Sequence, residues 1–471
     1  MSTLDKGGCY MNRQIKSPFM VVLGVLVINF LGLFSETALN IALPQIGKSF
    51  QVSSGQTQWL VLGYTMVVGI VLPLTTLISR WVKPKIILAF AAIVFILGSL
   101  IAVLAPTFAW LFIGRTIQGI STGLFIPLLF AVTLLVYPAN KLGSAMGIIA
   151  VVMNFAPALG PSLSGIIVNY LSWRWIFIIF IPIAVVALIL ILLTVPDVIK
   201  QTKPKVDFLS VLYSVLGFGL LITAVGMFSD YGFKNIGLYA LLAVAILFVV
   251  IYVRRQLKLP APILNFKIFH SKKYALATII ASLNFAMVMA AMYILPQMLQ
   301  SGLQFSVSEA GLILLPAGVV NALVALMAGR LYDSFGAKRL VQIGAILALI
   351  GILLLLRVQA GTSLWYIIGV DIILMAGSGL LLSPAQSYGL GDLGDKDSND
   401  GSTIMNTLQQ VFGALSVSVA TTFLIVGQHA SQSSSGAVRY VAGAHVSFLW
   451  VTLLLVCLTV FAFRLVDERR Q

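Results

Sequence analysis

Apolar segments long enough to cross a lipid bilayer recur along almost the whole chain. A transmembrane helix needs roughly 20 predominantly apolar residues, and fourteen segments of the sequence meet that requirement. Because a helix satisfies its backbone hydrogen bonds internally, repeated spans of this kind predict an all-α integral membrane protein. The predicted spans are 19–43, 56–79, 86–104, 108–136, 142–168, 175–195, 208–228, 236–253, 274–299, 309–329, 340–357, 362–387, 403–427 and 445–463.

The composition agrees with this class of protein. Hydrophobic residues make up 60% of the 471 residues and charged residues only 9%, whereas charged residues average about 25% in soluble domains. The formal net charge of +15 could indicate a nucleic-acid-binding protein. The basic residues instead lie in short gaps between apolar segments, so no nucleic-acid partner is expected. The two cysteines, Cys9 and Cys457, are far apart, and the sequence predicts neither a disulfide nor a metal site.

Lys and Arg residues predict how the chain is oriented in the membrane. If the N-terminus is cytoplasmic and the spans alternate in direction, the cytoplasmic loops and tails contain 23 basic residues and the outer loops contain 5. One further basic residue, Arg115, stays inside a span. Cytoplasmic loops of membrane proteins carry such an excess of Lys and Arg, so an even number of spans with both termini in the cytoplasm is predicted.

Two short basic turns occupy corresponding positions in the two halves of the chain, one after span two (residues 75–85) and one after span ten. The later turn reads Gly329-Arg-Leu-Tyr-Asp333-Ser-Phe-Gly336-Ala-Lys338-Arg339. It resembles the cytoplasmic-loop signature of the major facilitator superfamily, Gly-x-x-x-Asp-x-x-Gly followed by basic residues, and the earlier turn looks like a decayed copy.

Three further motifs occur in order in spans one, four and five. The three segments are Glu36-Thr-Ala-Leu-Asn-Ile-Ala-Leu-Pro44, Arg115-Thr-Ile-Gln-Gly119 and Ala156-Pro-Ala-Leu-Gly160-Pro161-Ser-Leu-Ser-Gly165. They are similar to motifs of the fourteen-helix drug:proton antiporter branch of that superfamily, which usually has Asp where this chain has Glu36.

The resemblance covers nearly the whole chain and implies a transporter built from two related halves. Spans 1–6 and 9–14 would form two six-helix bundles, with spans 7 and 8 inserted between them, and the family implies a monomer. The implied divisions are a cytoplasmic N-terminal tail 1–18, an N-terminal bundle 19–205, two inserted helices 206–255, a basic cytoplasmic linker 256–273, a C-terminal bundle 274–464 and a cytoplasmic tail 465–471.

Two acidic residues, Glu36 and Asp371, lie well inside apolar segments. A carboxylate at that depth is costly, so it usually has a function or a partner. The helical rise places Glu36 and Arg115 at similar depths in the outer half, which predicts that they face each other directly or through water. Asp371 has no basic residue close in sequence and is expected to bind a proton in one state of the protein. The alternative for Glu36 and Arg115 is a static buried pair, and the alternative for Asp371 is a protonated contact between helices.

Two sets of residues are candidates for gating. The resemblance implies that Gly160, Pro161 and Gly165 form a seam that closes the outer cavity, because small residues let helices approach closely and Pro permits bending. Ordinary close packing is the alternative. The second set would form a charge clasp, a group of charged residues that holds the two halves together on the cytoplasmic side. The alternative is that its basic residues only set the orientation of the chain in the membrane. Its members are Gly329, Asp333, Gly336, Lys338 and Arg339.

A third set of residues could line a cavity. Aromatic and Met side chains suit apolar ligands of variable shape because they repack easily, although lipid contact or core packing is an alternative for each. These candidates are Gln58, Trp59, Tyr64, Asn154, Phe155, Asn284, Met287, Tyr293 and Gln297.

The sequence therefore predicts a proton-coupled efflux transporter, an antiporter that exports amphipathic and often cationic drugs by alternating access. Protons would be the coupling ion, with no cofactor; no phosphate-binding loop or catalytic nucleophile arrangement indicates ATP use or an enzyme. The expected partners are the lipid bilayer and small hydrophobic or cationic molecules, and the expected location is a bacterial inner membrane. The alternatives are a dedicated exporter of a lipid, metabolite or single antibiotic class, and a membrane receptor or assembly partner without transport.

Overall fold

The computed structural model describes residues 17–137, 142–196, 207–232, 235–259, 262–393 and 395–466. Within these ranges every regular element is a helix. The helices are α1 (Pro18–Ala38), α2 (Leu43–Phe50), α3 (Ser54–Trp81), α4 (Pro84–Val103), α5 (Phe108–Val136), α6 (Leu142–Tyr170), α7 (Arg174–Thr194), α8 (Phe208–Tyr231), α9 (Ile236–Lys258), a 3-10 helix (Phe266–His270), α10 (Lys272–Gln297), a π-helical turn (Met298–Gly302), α11 (Val307–Leu355), α12 (Leu364–Gly391), α13 (Asp395–Ala430) and α14 (Gly436–Phe463).

Each predicted span has a helical counterpart. In the described part of the chain, thirteen helical segments are long and apolar enough to cross a membrane, and α6 covers the remaining predicted span. Helix α11 supplies two of these segments, Val307–Gly329 and Ser334–Leu355. The backbone of Gly336 has φ 73° and ψ 162°, a conformation that glycine adopts at little cost, so the helix is interrupted by a kink there.

Span one differs from its prediction at the outer end. The predicted span continued to residue 43, but α1 ends at Ala38 and a separate short helix, α2, begins at Leu43. Pro44 explains the break, because proline has no N–H to donate and its ring clashes with the carbonyl group four residues earlier. The break leaves Glu36 in the last turn of α1.

The helices pack as two groups. In the first, α1 contacts α5, α6 and α7, while α4 contacts α5 and α7. In the second, α10 contacts α12, α13 and α14, while α11 contacts α12 and α14. The two groups meet where α6 packs against α11 and where α3 packs against α13. This arrangement is the two-bundle fold that the sequence predicted.

The inserted helices α8 and α9 pack against each other, and α8 also contacts both α3 and α13. They therefore lie over the α3–α13 junction. At the start of α8, Arg255 of α9 binds both carboxylate oxygens of Asp207, at 2.6 and 2.8 Å. These hydrogen bonds lower the pKa of Asp207 to about 2. The adjacent Gln256 accepts a hydrogen bond from the backbone N–H of Ile263 at 2.7 Å, which holds the linker against this end of α9.

Candidate functional site

A cavity of about 280 Å³ lies between the two bundles. Its walls come from α1, α3, α5 and α6 on one side and from α10, α11, α12 and α13 on the other. Glu36 lines the cavity near the end of α1, whereas Leu390 and Ser402 line it close to where α12 ends and α13 begins. The cavity thus extends from Glu36 toward the end of the molecule that the sequence predicts to be cytoplasmic.

Glu36 is buried from bulk solvent and contributes to the cavity wall. One of its carboxylate oxygens, Oε1, has no hydrogen-bond partner. The side-chain amide of Gln410 on α13 lines the same cavity and interacts with the carboxylate, without a well-formed hydrogen bond between the two side chains. Glu36 of one bundle thus neighbours Gln410 of the other, and the interaction between them depends on whether the carboxyl group carries a proton.

Arg115 is completely buried, and its guanidinium group bridges three helices. It donates hydrogen bonds to the side-chain oxygen of Ser35 at 2.6 Å and to its carbonyl oxygen at 3.1 Å. It also donates to Gln118 at 2.9 Å and lies 4.1 Å from the centre of the Tyr64 ring. These contacts satisfy a buried cation within a polar cluster, as such a charge requires.

The direct pair of Arg115 with Glu36 predicted from depth is not formed. Among the described residues no salt bridge joins the two side chains. Arg115 instead contacts Ser35, the residue that precedes Glu36. Successive side chains of a helix point about 100° apart, so Ser35 faces α5 while Glu36 faces the cavity. The depth argument matched the two residues along the membrane normal but could not fix their directions around the helix axis.

We expect Arg115→Lys to reduce both stability and transport. A lysine has no planar fork to bind both Ser35 and Gln118, and each buried group left unpaired costs about 1–3 kcal/mol. Tm in detergent and uptake by vesicles would measure the two effects. Arg174→Lys is the matched control, since Arg174 also binds two carbonyl groups, of Val103 and Ala105, but lies away from the cavity. Equal loss of transport in both variants would contradict a functional role for Arg115.

Asp371 is buried in a separate cavity of about 30 Å³ against α6, α10 and α11. Its Oδ1 atom has no hydrogen-bond partner, and no basic side chain contributes to the described lining. An intermediate cavity of about 90 Å³ shares Ala158 and Gly318 with the Asp371 cavity and Met153 and Phe285 with the central one. The two buried acids thus face one chain of adjoining cavities.

Gly160 and Gly165 lie on α6 where it meets two different helices. A Cβ atom on Gly160 would collide with the Thr37 side chain of α1 and would lie 3.0 Å from the backbone nitrogen of Ala38. A Cβ atom on Gly165 would lie 2.8 Å from the carbonyl oxygen of Val307 on α11. Pro161 lines the Asp371 cavity. These contacts lie toward the end of the molecule opposite to Leu390 and Ser402, and a gating role for Gly160, Pro161 and Gly165 remains a prediction.

The inner charge clasp remains a prediction. The side chain of Asp333 lies outside the part of the chain that the structure describes. Gly336 occupies the break in α11, and Gly329 faces Ser383 of α12, whose side-chain oxygen would lie 3.7 Å from a Cβ atom at that position. No salt bridge of Lys338 or Arg339 is formed with a described residue.

The residues proposed as cavity lining are dispersed. Asn284 lines the intermediate cavity, and Gln297 lines a different pocket of about 250 Å³ beside α2. Gln58 donates to the carbonyl oxygen of Gly226 on α8, and Tyr64 donates to that of Gly32. None of the described candidates lines the central cavity. Trp59 packs near Gly226, Phe155 is half-buried, Met287 and Tyr293 are buried, and the side chain of Asn154 lies outside the description.

A polar stripe on α13 was missed by these sequence predictions. Ser402, Asn406, Gln409 and Gln410 all line the central cavity, and Ser383 and Gln386 of α12 lie beside them. The spacing of the α13 residues, i, i+4, i+7 and i+8, places them on one helix face. That periodicity was available in the sequence, although it could not show whether the face was directed at a cavity or at another helix.

Residues 25–417 match the Major Facilitator Superfamily, and the chain belongs to this superfamily of transporters. It is 40% identical over 413 residues to the lincomycin resistance protein LmrB of Listeria innocua, covering 88% of each chain. It is 25% identical over 411 residues to the putative multidrug resistance protein MdtD of Escherichia coli O1:K1, covering 86% of each.

The fold is also similar to that of a solved transporter structure. The crystal structure of a bacterial homologue of the human lysosomal transporter Spinster aligns with a TM-score of 0.68 at 14% identity, covering 94% of this chain and 96% of the other. Together with the many apolar helices, the family assignment makes this protein a multi-pass membrane protein.

Proposed function

We propose that this protein is a proton-coupled antiporter that exports amphipathic, often cationic antibiotics by alternating access. One observation carries the proposal: Glu36 is the only titratable side chain among the described residues that line the central cavity, and it has an unpartnered carboxylate oxygen. A proton and a cationic substrate would compete for that group. Competition for one acid is sufficient for exchange, because binding of either ligand disfavours binding of the other.

The proposed cycle uses the two ends of the molecule in turn. With the seam at Gly160 and Gly165 closed, the central cavity admits substrate from the cytoplasm as Glu36 releases its proton. When the bundles rock and the seam opens, Glu36 takes up a proton from outside and the substrate leaves. Asp371, whose cavity is also lined by Pro161, is proposed as a second proton-binding carboxyl group.

The relatives support an antibiotic as substrate. One is named for lincomycin resistance and another for multidrug resistance, and we infer that lincomycin is among the compounds this protein exports. Lincomycin carries a basic amine, an amide and several hydroxyl groups, and the cavity offers a carboxylate beside a row of amide and hydroxyl side chains. The proposed setting is a bacterial inner membrane with both termini in the cytoplasm, a monomer, and protons as the coupling ion without a cofactor.

Accumulation of lincomycin in cells that express the protein tests this function. We expect lower accumulation than in cells without it, and we expect an uncoupler that collapses the proton gradient to abolish the difference. A panel of unrelated cationic dyes measured in parallel separates a multidrug exporter from a dedicated one. Equal accumulation with and without the protein for every compound would contradict the proposal, and efflux that persists with the uncoupler would contradict proton coupling.

A further inference from the structure

Two adjacent amides on α13 present unpartnered atoms to the central cavity. Gln409 and Gln410 are 4% and 5% exposed, and both line the cavity. The Nε2 atom of Gln409 and the Oε1 atom of Gln410 have no hydrogen-bond partner. Buried polar atoms are nearly always paired, so atoms left unpaired toward a cavity indicate groups that a ligand satisfies. A donor and an acceptor are therefore available in the wall of the cavity that Glu36 also lines.

The orientation of the Gln410 amide depends on its contact with Glu36. A charged carboxylate only accepts hydrogen bonds, so it binds the NH₂ group of the amide and leaves the amide oxygen turned toward the cavity. A protonated carboxyl group donates its O–H, so the amide oxygen becomes the better partner. Rotation of the terminal amide by about 180° exchanges the two, since its oxygen and nitrogen occupy equivalent positions.

We propose that Gln410 relays the protonation state of Glu36 to the substrate by this rotation of its amide group. When Glu36 is charged, the cavity wall presents two acceptors, the carboxylate and the Gln410 oxygen, which suit a cation that also carries hydroxyl or amide N–H donors. When Glu36 is protonated, the wall presents the Gln410 NH₂ group, which cannot accept from those donors. The inference rests on the proposed antiport and specifies its substrates as donor-rich cations.

The other ionisable groups around Glu36 do not line the central cavity, so they are less able than Gln410 to pass its protonation state to a bound substrate. Arg115 on α5 and Tyr64 on α3 are the ionisable side chains that interact electrostatically with Glu36. Both are held within the bundle, since Arg115 binds Ser35 and Tyr64 binds Gly32, and neither lines the cavity. Asp371 lies in a different cavity. On the side of α3, Gln410 contacts Gly69, which carries no polar side chain.

Two permanently charged probes separate the effect of Gln410 from that of Glu36. Tetraphenylphosphonium has no hydrogen-bond donors, whereas lincomycin methylated to a quaternary ammonium keeps its hydroxyl groups. Because neither charge titrates, any pH dependence of binding to the purified protein belongs to the protein. We expect both probes to bind more weakly as the pH falls, and the loss to be greater for the lincomycin derivative by roughly fivefold, the effect of one hydrogen bond.

The decisive variant is Gln410→Met, which keeps the side-chain volume but has no amide. We expect the pH dependence of the lincomycin derivative to become equal to that of tetraphenylphosphonium measured in the same variant. Gln409→Met is the matched control and should weaken binding of the lincomycin derivative equally at every pH. If Gln410→Met does not fold, as judged by its Tm, Gln410→Asn makes the same test because its amide is too short to reach Glu36.

The outcomes distinguish the inference from the function on which it rests. If the two probes still differ in the pH dependence of their binding to the Gln410 variant, the relay alone is overturned. The relay is also overturned if the Gln409 variant loses that difference to the same extent. Failure of both probes to bind the unmodified protein would overturn the proposed function as well. Binding that stays pH-dependent in Glu36→Gln would show that another group supplies the proton site, which also overturns the relay.

Discussion

Glu36→Gln should strongly reduce efflux driven by a pH gradient while the protein still folds. Glutamine has nearly the shape of a protonated glutamate and can still bond to Gln410, but it has no proton to release. We expect gradient-driven transport to fall by roughly 10- to 100-fold, the range typical of coupling between two ligands. Inverted membrane vesicles would measure it, with substrate uptake followed after an imposed acid interior. Substrate exchange without a gradient should remain.

Two other acids provide comparisons for this result. Glu309 lies outside the cavity and accepts a hydrogen bond from the backbone N–H of Ser306, at 2.8 Å, in a capping interaction that glutamine also makes. Glu309→Gln should therefore transport normally. Asp371→Asn removes the second buried carboxyl group, and we expect it to weaken transport less than Glu36→Gln does. Undiminished gradient-driven efflux in Glu36→Gln would remove this residue from the coupling mechanism.

Gly160→Ala should block transport by preventing closure of the outer seam. The added Cβ atom would collide with Thr37 and crowd two backbone atoms, the Ala38 nitrogen at 3.0 Å and the Phe34 carbonyl oxygen at 3.1 Å. Backbone atoms cannot turn aside as a side chain can, so α1 and α6 must separate, at a cost of about 1–3 kcal/mol. We expect a roughly 5- to 150-fold loss of transport, because that cost falls only on the closed state.

The Gly160→Ala variant is tested by two measurements, its transport rate and the rate at which the seam between α1 and α6 reacts with a reagent added from outside. A cysteine introduced at Ser162 should react faster with an impermeant reagent from outside when position 160 is alanine. Gly369→Ala is the matched control, because nothing lies within 4 Å of a Cβ atom at that position on α12. It should transport and label like the unmodified protein. Wild-type transport in Gly160→Ala would show that α1 and α6 need not pack this closely.

The fold could be predicted in detail because its main features are local. Segment length and apolarity gave the spans, and the two interruptions of the helices follow from single residues, Pro44 and Gly336. The prediction for span one was too long by about one turn, since its apolar run continues beyond the point where proline ends the helix. Hydropathy alone does not report such a break.

The candidate site was predicted less completely. Glu36 and Asp371 were identified because a carboxylate is conspicuous among apolar residues, and the structure places both beside cavities. The direct contact of Arg115 with Glu36 is not formed, because depth in the membrane does not fix direction around a helix. The amide stripe on α13, with Gln409 and Gln410, was overlooked because polar residues with helical spacing face other helices as readily as they face a cavity.

By itself, the sequence determined that the chain crosses the membrane repeatedly and that carboxylates lie at bilayer depth. Those properties depend on the free energy of transferring each segment from water to lipid, which is set by the residues of that segment alone. Only the tertiary structure decided that Glu36 of one bundle meets Gln410 of the other at a common cavity. That meeting depends on how α1 and α13 are rotated against their neighbours, which close packing among many helices fixes together.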